Sequence, residues 1–158
     1  MSPLAILILS VCGFTAAGEK HLLCRSDDLD ILFSSCGPGA AMFSFTVKPC
    51  SLKVSVWQGH IFWIPKADIT ILTARIHIWH ETLYVFKWEA TLCHGVDDDY
   101  TFCGALKGET IDTTVRISGA QPTYLQGEYT IVFEAFSGHF EELIACMNYT
   151  LIIKQKLY

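Results

Sequence analysis

The stretch IDTTVRI, Ile111 to Ile117, sets Ile111, Thr113, Val115 and Ile117 on alternate positions, with Asp112, Thr114 and Arg116 between them. Strand side chains point to opposite faces in turn, so this pattern makes one apolar face and one polar face. Working outward, the same parity sets Tyr129, Ile131, Phe133 and Ala135 inward with Thr130 and Glu134 outward. It sets Ala74, Ile76 and Ile78 inward with Arg75 and His77 outward. Strands are expected over residues 43–47, 61–64, 73–79, 83–88, 111–117, 129–135 and 149–153, and no amphipathic helix exceeds two turns. Turn signals separate them at CGPGA (36–40), SGAQP (118–122), LQGE (125–128) and FSGHF (136–140). Seven or more short strands divided this way predict an all-β antiparallel sandwich or barrel.

Near the end, Met147, Tyr149 and Leu151 read as inward, leaving Cys146, Asn148 and Thr150 outward. Asn148 opens the sequon NYT and is the only asparagine in the chain. An outward strand position next to a sheet edge can carry a glycan, which makes Asn148 the expected glycosylation site.

The first seventeen residues, MSPLAILILSVCGFTAA, carry no charged side chain and end in small residues. They read as a signal peptide over residues 1–17, followed by one domain over 18–158. The apolar run is too short to span a bilayer. Removing Cys12 leaves six cysteines, an even number that predicts disulfides in an exported chain. Without a CxxC pair, structural zinc is not expected and no metal is assigned. The short separation of Cys93 and Cys103 favours a local bridge, while the spacing leaves the remaining connectivity open.

Apolar residues make up 51% of the chain and charged residues only 17%, more apolar surface than a single core of this size requires. A net charge of −5 without clustered Lys and Arg argues against a nucleic-acid partner. The fragment HIWHETLY, His77 to Tyr84, resembles a metalloprotease helix, but HExxH would need histidine where Tyr84 stands. On a strand, His77 and His80 also point to opposite faces. With no GxSxG elbow or P-loop, no enzyme is expected and no catalytic residue or cofactor is assigned. The run Asp97–Asp98–Asp99 lacks the alternating ligands of a calcium loop. It reads as a solvated tip or as a charged patch held by a Cys93–Cys103 bridge. The aromatic and aliphatic inward positions fill a core, or line a slot for acyl chains or a sterol if the sheets part along one edge.

The fragments HIFWIP (60–65), DDDYTFCGALKGET (97–110), QGEY (126–129) and EAFSGHFEEL (134–143), with the six-cysteine frame, resemble the ML-domain lipid-recognition family. Within it they are most similar to the secreted co-receptors of Toll-like receptor four that bind bacterial lipopolysaccharide. The resemblance covers essentially all of residues 18–158. It implies an immunoglobulin-like β-sandwich of two antiparallel sheets with an apolar cavity between them, and bridges Cys24–Cys50, Cys36–Cys146 and Cys93–Cys103. The implied cavity walls are Ile31, Phe43, Phe45, Val47, Ile61, Trp63, Ile76, Ile78, Phe102, Val115, Ile117, Ile131, Phe133, Tyr149 and Leu151. Lipid contacts are also implied in the loop with Ser118, Gly119, Ala120, Gln121 and Tyr124. The ectodomain of the receptor, built of leucine-rich repeats, is implied to meet Lys66, Asp97, Asp98, Asp99, Tyr100 and Lys107.

The sequence departs from the family where cations ring the cavity mouth: it has Ala120, Thr123, Gln126, Glu128 and Thr130 there, leaving Arg116 as the candidate for lipid phosphate. Arg25 and Asp112 occupy the usual sequon positions. Three readings share this fold. One is a secreted co-receptor presenting lipid A to Toll-like receptor four, or its paralogue serving the radioprotective B-cell receptor. The second is a soluble lipid or sterol carrier, and the third an adhesion domain with a solid core.

Overall fold

The computed structural model describes residues 18–37, 42–118 and 125–154. Nine strands follow in order: β1 His21–Arg25, β2 Leu29–Ser35, β3 Phe43–Lys48, β4 Val56–Trp63, β5 Ile71–His80, β6 Leu83–His94, β7 Ile111–Ser118, β8 Gly127–Ser137 and β9 Glu142–Ile153. They form a six-stranded sheet, β1-β2-β9-β8-β5-β6, and a three-stranded sheet, β3-β4-β7, with every neighbouring pair antiparallel. The protein is an all-β sandwich. The seven expected strands correspond to β3 through β9, each extended in the structure, while β1 and β2 were not expected.

Register gives the large sheet a single apolar face. Ile31 stands opposite Leu151, Tyr149 opposite Ile131, and Phe133 opposite Ile76. The other face carries Arg75, which donates to Glu89 at 2.6 Å and Glu141 at 2.9 Å, and His77, 3.2 Å from Glu134. Parity therefore assigns these faces correctly.

Two buried clusters hold the sheets together. One gathers Trp63, Ile69, Leu72, Cys93, Ile111, Ala135, Ile144 and Ala145, and the other Leu29, Ile31, Leu52, Met147, Tyr149 and Ile153. Three disulfides reinforce them: Cys24–Cys50 joins β1 to the segment after β3, Cys36–Cys146 ties the chain after β2 to β9, and Cys93–Cys103 closes the loop after β6. No helix among the described residues is long and apolar enough to cross a membrane.

Candidate functional site

Between the two sheets lies a cavity of about 360 Å³, lined by Leu23, Ile31, Phe43, Phe45, Val47, Ile61, Trp63, Leu72, Ile76, Leu92, Phe102, Ile131, Phe133, Ala135, Tyr149 and Leu151. The volume falls within the range of small-molecule sites, and every lining side chain is aliphatic or aromatic. Rings brace the two sheets against each other, Phe43 stacking on Phe133 at 5.6 Å and Phe45 meeting Tyr149 edge-on at 6.5 Å, while within the small sheet Phe43 meets Trp63 edge-on at 5.7 Å. Gly59 makes room for this arrangement, because a Cβ there would lie 2.6 Å from the Phe45 ring. Such a surface binds hydrocarbon, with each buried methylene contributing about 0.8 kcal/mol.

Twelve of the fifteen expected wall residues are in the lining; Ile78, Val115 and Ile117 are not. Ile78 pairs with Phe86 of the terminal strand β6, and Val115 and Ile117 belong to β7, a terminal strand of the small sheet. Phe86 and Trp88 stand opposite Ile78 and Ile76 on the inward side of β6, yet are 51% and 38% exposed, and Ile117 on β7 is 39% exposed. These residues form a rim. Ser118, expected in a lipid-contact loop, is exposed at the end of β7 and outside the lining. Gly119, Ala120, Gln121 and Tyr124, like residues 1–17, lie outside the described residues. Leu23, Leu72, Leu92 and Ala135 line the cavity without having been singled out as walls. Parity had turned Ala135 inward, whereas Leu23 belongs to the unexpected β1, and Leu72 and Leu92 lie beyond the expected limits of β5 and β6.

The loop from Gly95 to Glu109 connects the cavity with the surface. Phe102 lines the cavity, and its ring stacks at 5.1 Å on Tyr100, which is exposed. Asp97 and Asp99 face solvent, with Asp97 in the left-handed region at a φ of 49°. Asp98 does not face solvent: its side chain is 11% exposed and accepts from the amides of His94 at 2.7 Å and Gly95 at 3.1 Å. Asp98, named with Asp97 and Asp99 as a receptor contact by the resemblance, is thus the one of the three that turns inward, its oxygens closing the turn. Asp98 also lies near the sulfurs of Cys93 and Cys103, but these are spent in their mutual bridge and cannot serve as thiolate ligands. Lys66 and Lys107 are exposed on adjoining segments, which are joined by the Gly108 amide donating to the Pro65 carbonyl at 3.0 Å.

Arg116 is exposed on the outer face of the small sheet, in one cross-strand row with Gln58 and Lys48. Asn148 is half-buried on β9, and its Oδ1 is covered without a hydrogen-bond partner. The sheet-edge argument for that sequon is corrected, because β9 runs between β2 and β8.

No protein-family model matches the sequence. Human lymphocyte antigen 96 is 37% identical over 140 residues, covering 88% of this chain and 88% of that protein. Lymphocyte antigen 96 of Bos taurus is 34% identical over the same shares, and human lymphocyte antigen 86 is 26% identical over 153 residues, 92% of this chain and 91% of that one. Among solved structures, chicken MD-1 complexed with lipid IVa shares the fold with a TM-score of 0.75 at 23% identity, covering 87% of this chain and 99% of that one. The extent and level of the identity show that the chain belongs to the lymphocyte antigen 96 family of ML-domain lipid-recognition proteins.

Proposed function

We propose that the chain is a secreted, non-catalytic co-receptor that takes the acyl chains of bacterial lipopolysaccharide (lipid A) into its cavity and presents the lipid to the Toll-like receptor four ectodomain in innate immune signalling. The observation that carries this reading is an apolar cavity enclosed between the sheets of a lymphocyte antigen 96 relative. Residues 1–17 act as the removable secretory signal, and three disulfides suit an oxidising extracellular compartment. Receptor binding brings the protein to the cell surface. Asp97, Asp99, Tyr100, Lys66 and Lys107 form the receptor-facing patch, while Asp98 shapes it from within. Arg116, with Lys48 on the far side of Gln58 in the same row, meets lipid phosphate. Tyr124 and its loop complete the lipid contacts, and Asn148 carries a glycan added before β9 is enclosed.

The relatedness to lymphocyte antigen 86 favours a second partner, the radioprotective B-cell receptor. Native mass spectrometry of the purified secreted protein with hexa-acyl lipid A, alone and with each receptor ectodomain, tests both. A lipid-loaded complex with Toll-like receptor four that pairs into a two-plus-two assembly is the expected result. The same assembly with the other receptor alone reassigns the partner. Lipid binding without either receptor leaves a carrier, and absence of lipid binding overturns the reading.

A further inference from the structure

β6 ends the large sheet and, among the described residues, pairs with β5 alone. In an antiparallel ladder alternate residues direct their N–H and C=O to opposite sides, so half of the β6 backbone groups point away from β5. Residues Leu83 to Glu89 are all exposed, and Leu83, Tyr84, Val85, Phe86 and Trp88 among them are apolar or aromatic. The strand contains no proline, and its register with β5 is unbroken from Phe86 to Thr91, the irregularities lying beyond either end. A long, regular, apolar edge of this kind is a template for another strand. The order of its side chains says which strand fits.

We propose that the protein pairs with a second copy of itself by joining the two β6 edges antiparallel about Trp88, so that the two large sheets become one. Phe86 and Trp88 share one face of the strand, and Lys87 and Glu89 share the other. A two-fold centre lying between residues would set apolar positions against charged ones, so the centre falls on a residue. Centred on Lys87 or on Glu89, the pairing sets that charge against its own copy, which destabilises it. Centred on Phe86, Ala90 or Thr91, it gives neither charge an opposite number. Centred on Trp88, it sets Lys87 opposite Glu89 of the second copy and, by symmetry, Glu89 opposite Lys87 of the second copy. Both side chains are free to turn that way, being 54% and 40% exposed, and the Arg75 donor occupies only Oε2 of Glu89. On the other face the same register brings Phe86 to Ala90 of the second copy and Trp88 to its own counterpart, taking exposed rings out of water. Trp88 stands opposite Ile76, a cavity wall residue, so the joined strands carry one apolar row from cavity to cavity.

Sedimentation equilibrium of the secreted chain, without lipid or receptor and up to several hundred micromolar, tests this. The wild type reaches twice its monomer mass as concentration rises. Lys87→Glu makes both charged positions of the edge acidic, and Glu89→Lys makes both basic, so each variant alone dimerises about tenfold more weakly or worse. An equimolar mixture of the two variants recovers the wild-type dimer, because each edge then faces the opposite charge. Glu89→Lys also gives up the Arg75 contact, and recovery on mixing shows that its fold survives. A wild type that stays monomeric overturns the proposal. So does a dimer that both variants form alone as tightly as the wild type, which places the contact elsewhere, and so does weakening in both variants without recovery on mixing. Amide exchange in β6 that slows only when the receptor ectodomain is added assigns the edge to the receptor, and overturns self-pairing as well.

Discussion

Within the run Asp97–Asp98–Asp99, the middle carboxylate accepts from the His94 and Gly95 amides, and its neighbours face solvent. The His94 amide bond is the largest influence holding the Asp98 carboxyl below its ordinary value of 3.8, with burial opposing it and the Gly95 amide assisting. A carboxyl whose pKa is lowered on folding stabilises the folded state above its unfolded pKa, and that contribution is lost as pH falls through the folded value. Protection of the His94 and Gly95 amides, relative to their intrinsic exchange, is therefore expected to persist from neutral pH to below the ordinary carboxylate range and to be lost as pH falls through the lowered value. Asp98→Ala removes the acceptor and accelerates exchange at both amides already at neutral pH. Asp97→Ala and Asp99→Ala leave it unchanged, and equal exchange in all three variants would sink the distinction. The sequence made the density of charge in this loop plain, but which carboxylate turns inward follows from the backbone path, to which consecutive aspartates give no parity clue.

At the scale of strands, alternation located β3 through β9 because each carries a run of inward apolar residues that a sheet must bury. Its failure at β1 and β2 has a physical cause. The segment around Leu29–Ser35 contains Asp28 and Asp30, charges that break the apolar pattern, and both are buried with dedicated partners. Asp28 accepts from the Leu52 amide at 2.8 Å and the Ser26 hydroxyl at 2.6 Å; Asp30 accepts from Lys154 at 2.7 Å and Arg25 at 3.3 Å. Two of those partners, Leu52 and Lys154, come from distant parts of the chain and leave no local pattern. The expected strand at residues 61–64 was likewise short because Gly59 interrupts the pattern within β4. That glycine is required by the Phe45 ring packed over it and by Ile117 nearby. Gly59→Ala should force the ring toward the cavity, lowering stability by about 1–3 kcal/mol as overpacking does. A thermal melt and a lipid titration together check this: both the melting temperature and the amount of lipid bound should fall. A variant indistinguishable from wild type in both would mean that the β3 and β4 backbones yield instead.

For the whole molecule, the sequence identified most of the apolar side chains that face inward but could not decide between a solid core and a cavity from residue type alone. The same rings fill a core or line a slot, depending on how far the two sheets stand apart. The exposure of Phe86, Trp88 and Ile117 likewise becomes visible only once both sheets are in position. A lipid-dependent receptor surface also needs a physical connection from cavity to exterior, and the stacked pair of Phe102 and Tyr100 supplies one. A ligand pressing on Phe102 acts on a ring that is part of the Cys93–Cys103 loop and leans on the exposed Tyr100. Filling the cavity is therefore expected to slow amide exchange from Tyr100 to Gly104. Phe102→Leu keeps an apolar wall but removes a ring stack of about 0.5–1.5 kcal/mol. This variant should bind lipid with nearly wild-type affinity while losing at least about half of the lipid-induced protection in the loop. Hydrogen exchange with and without bound lipid measures that difference. Equal protection in the variant and the wild type would assign the coupling to the strands, whereas loss of protection at unchanged affinity identifies the ring stack as the path from ligand to receptor surface.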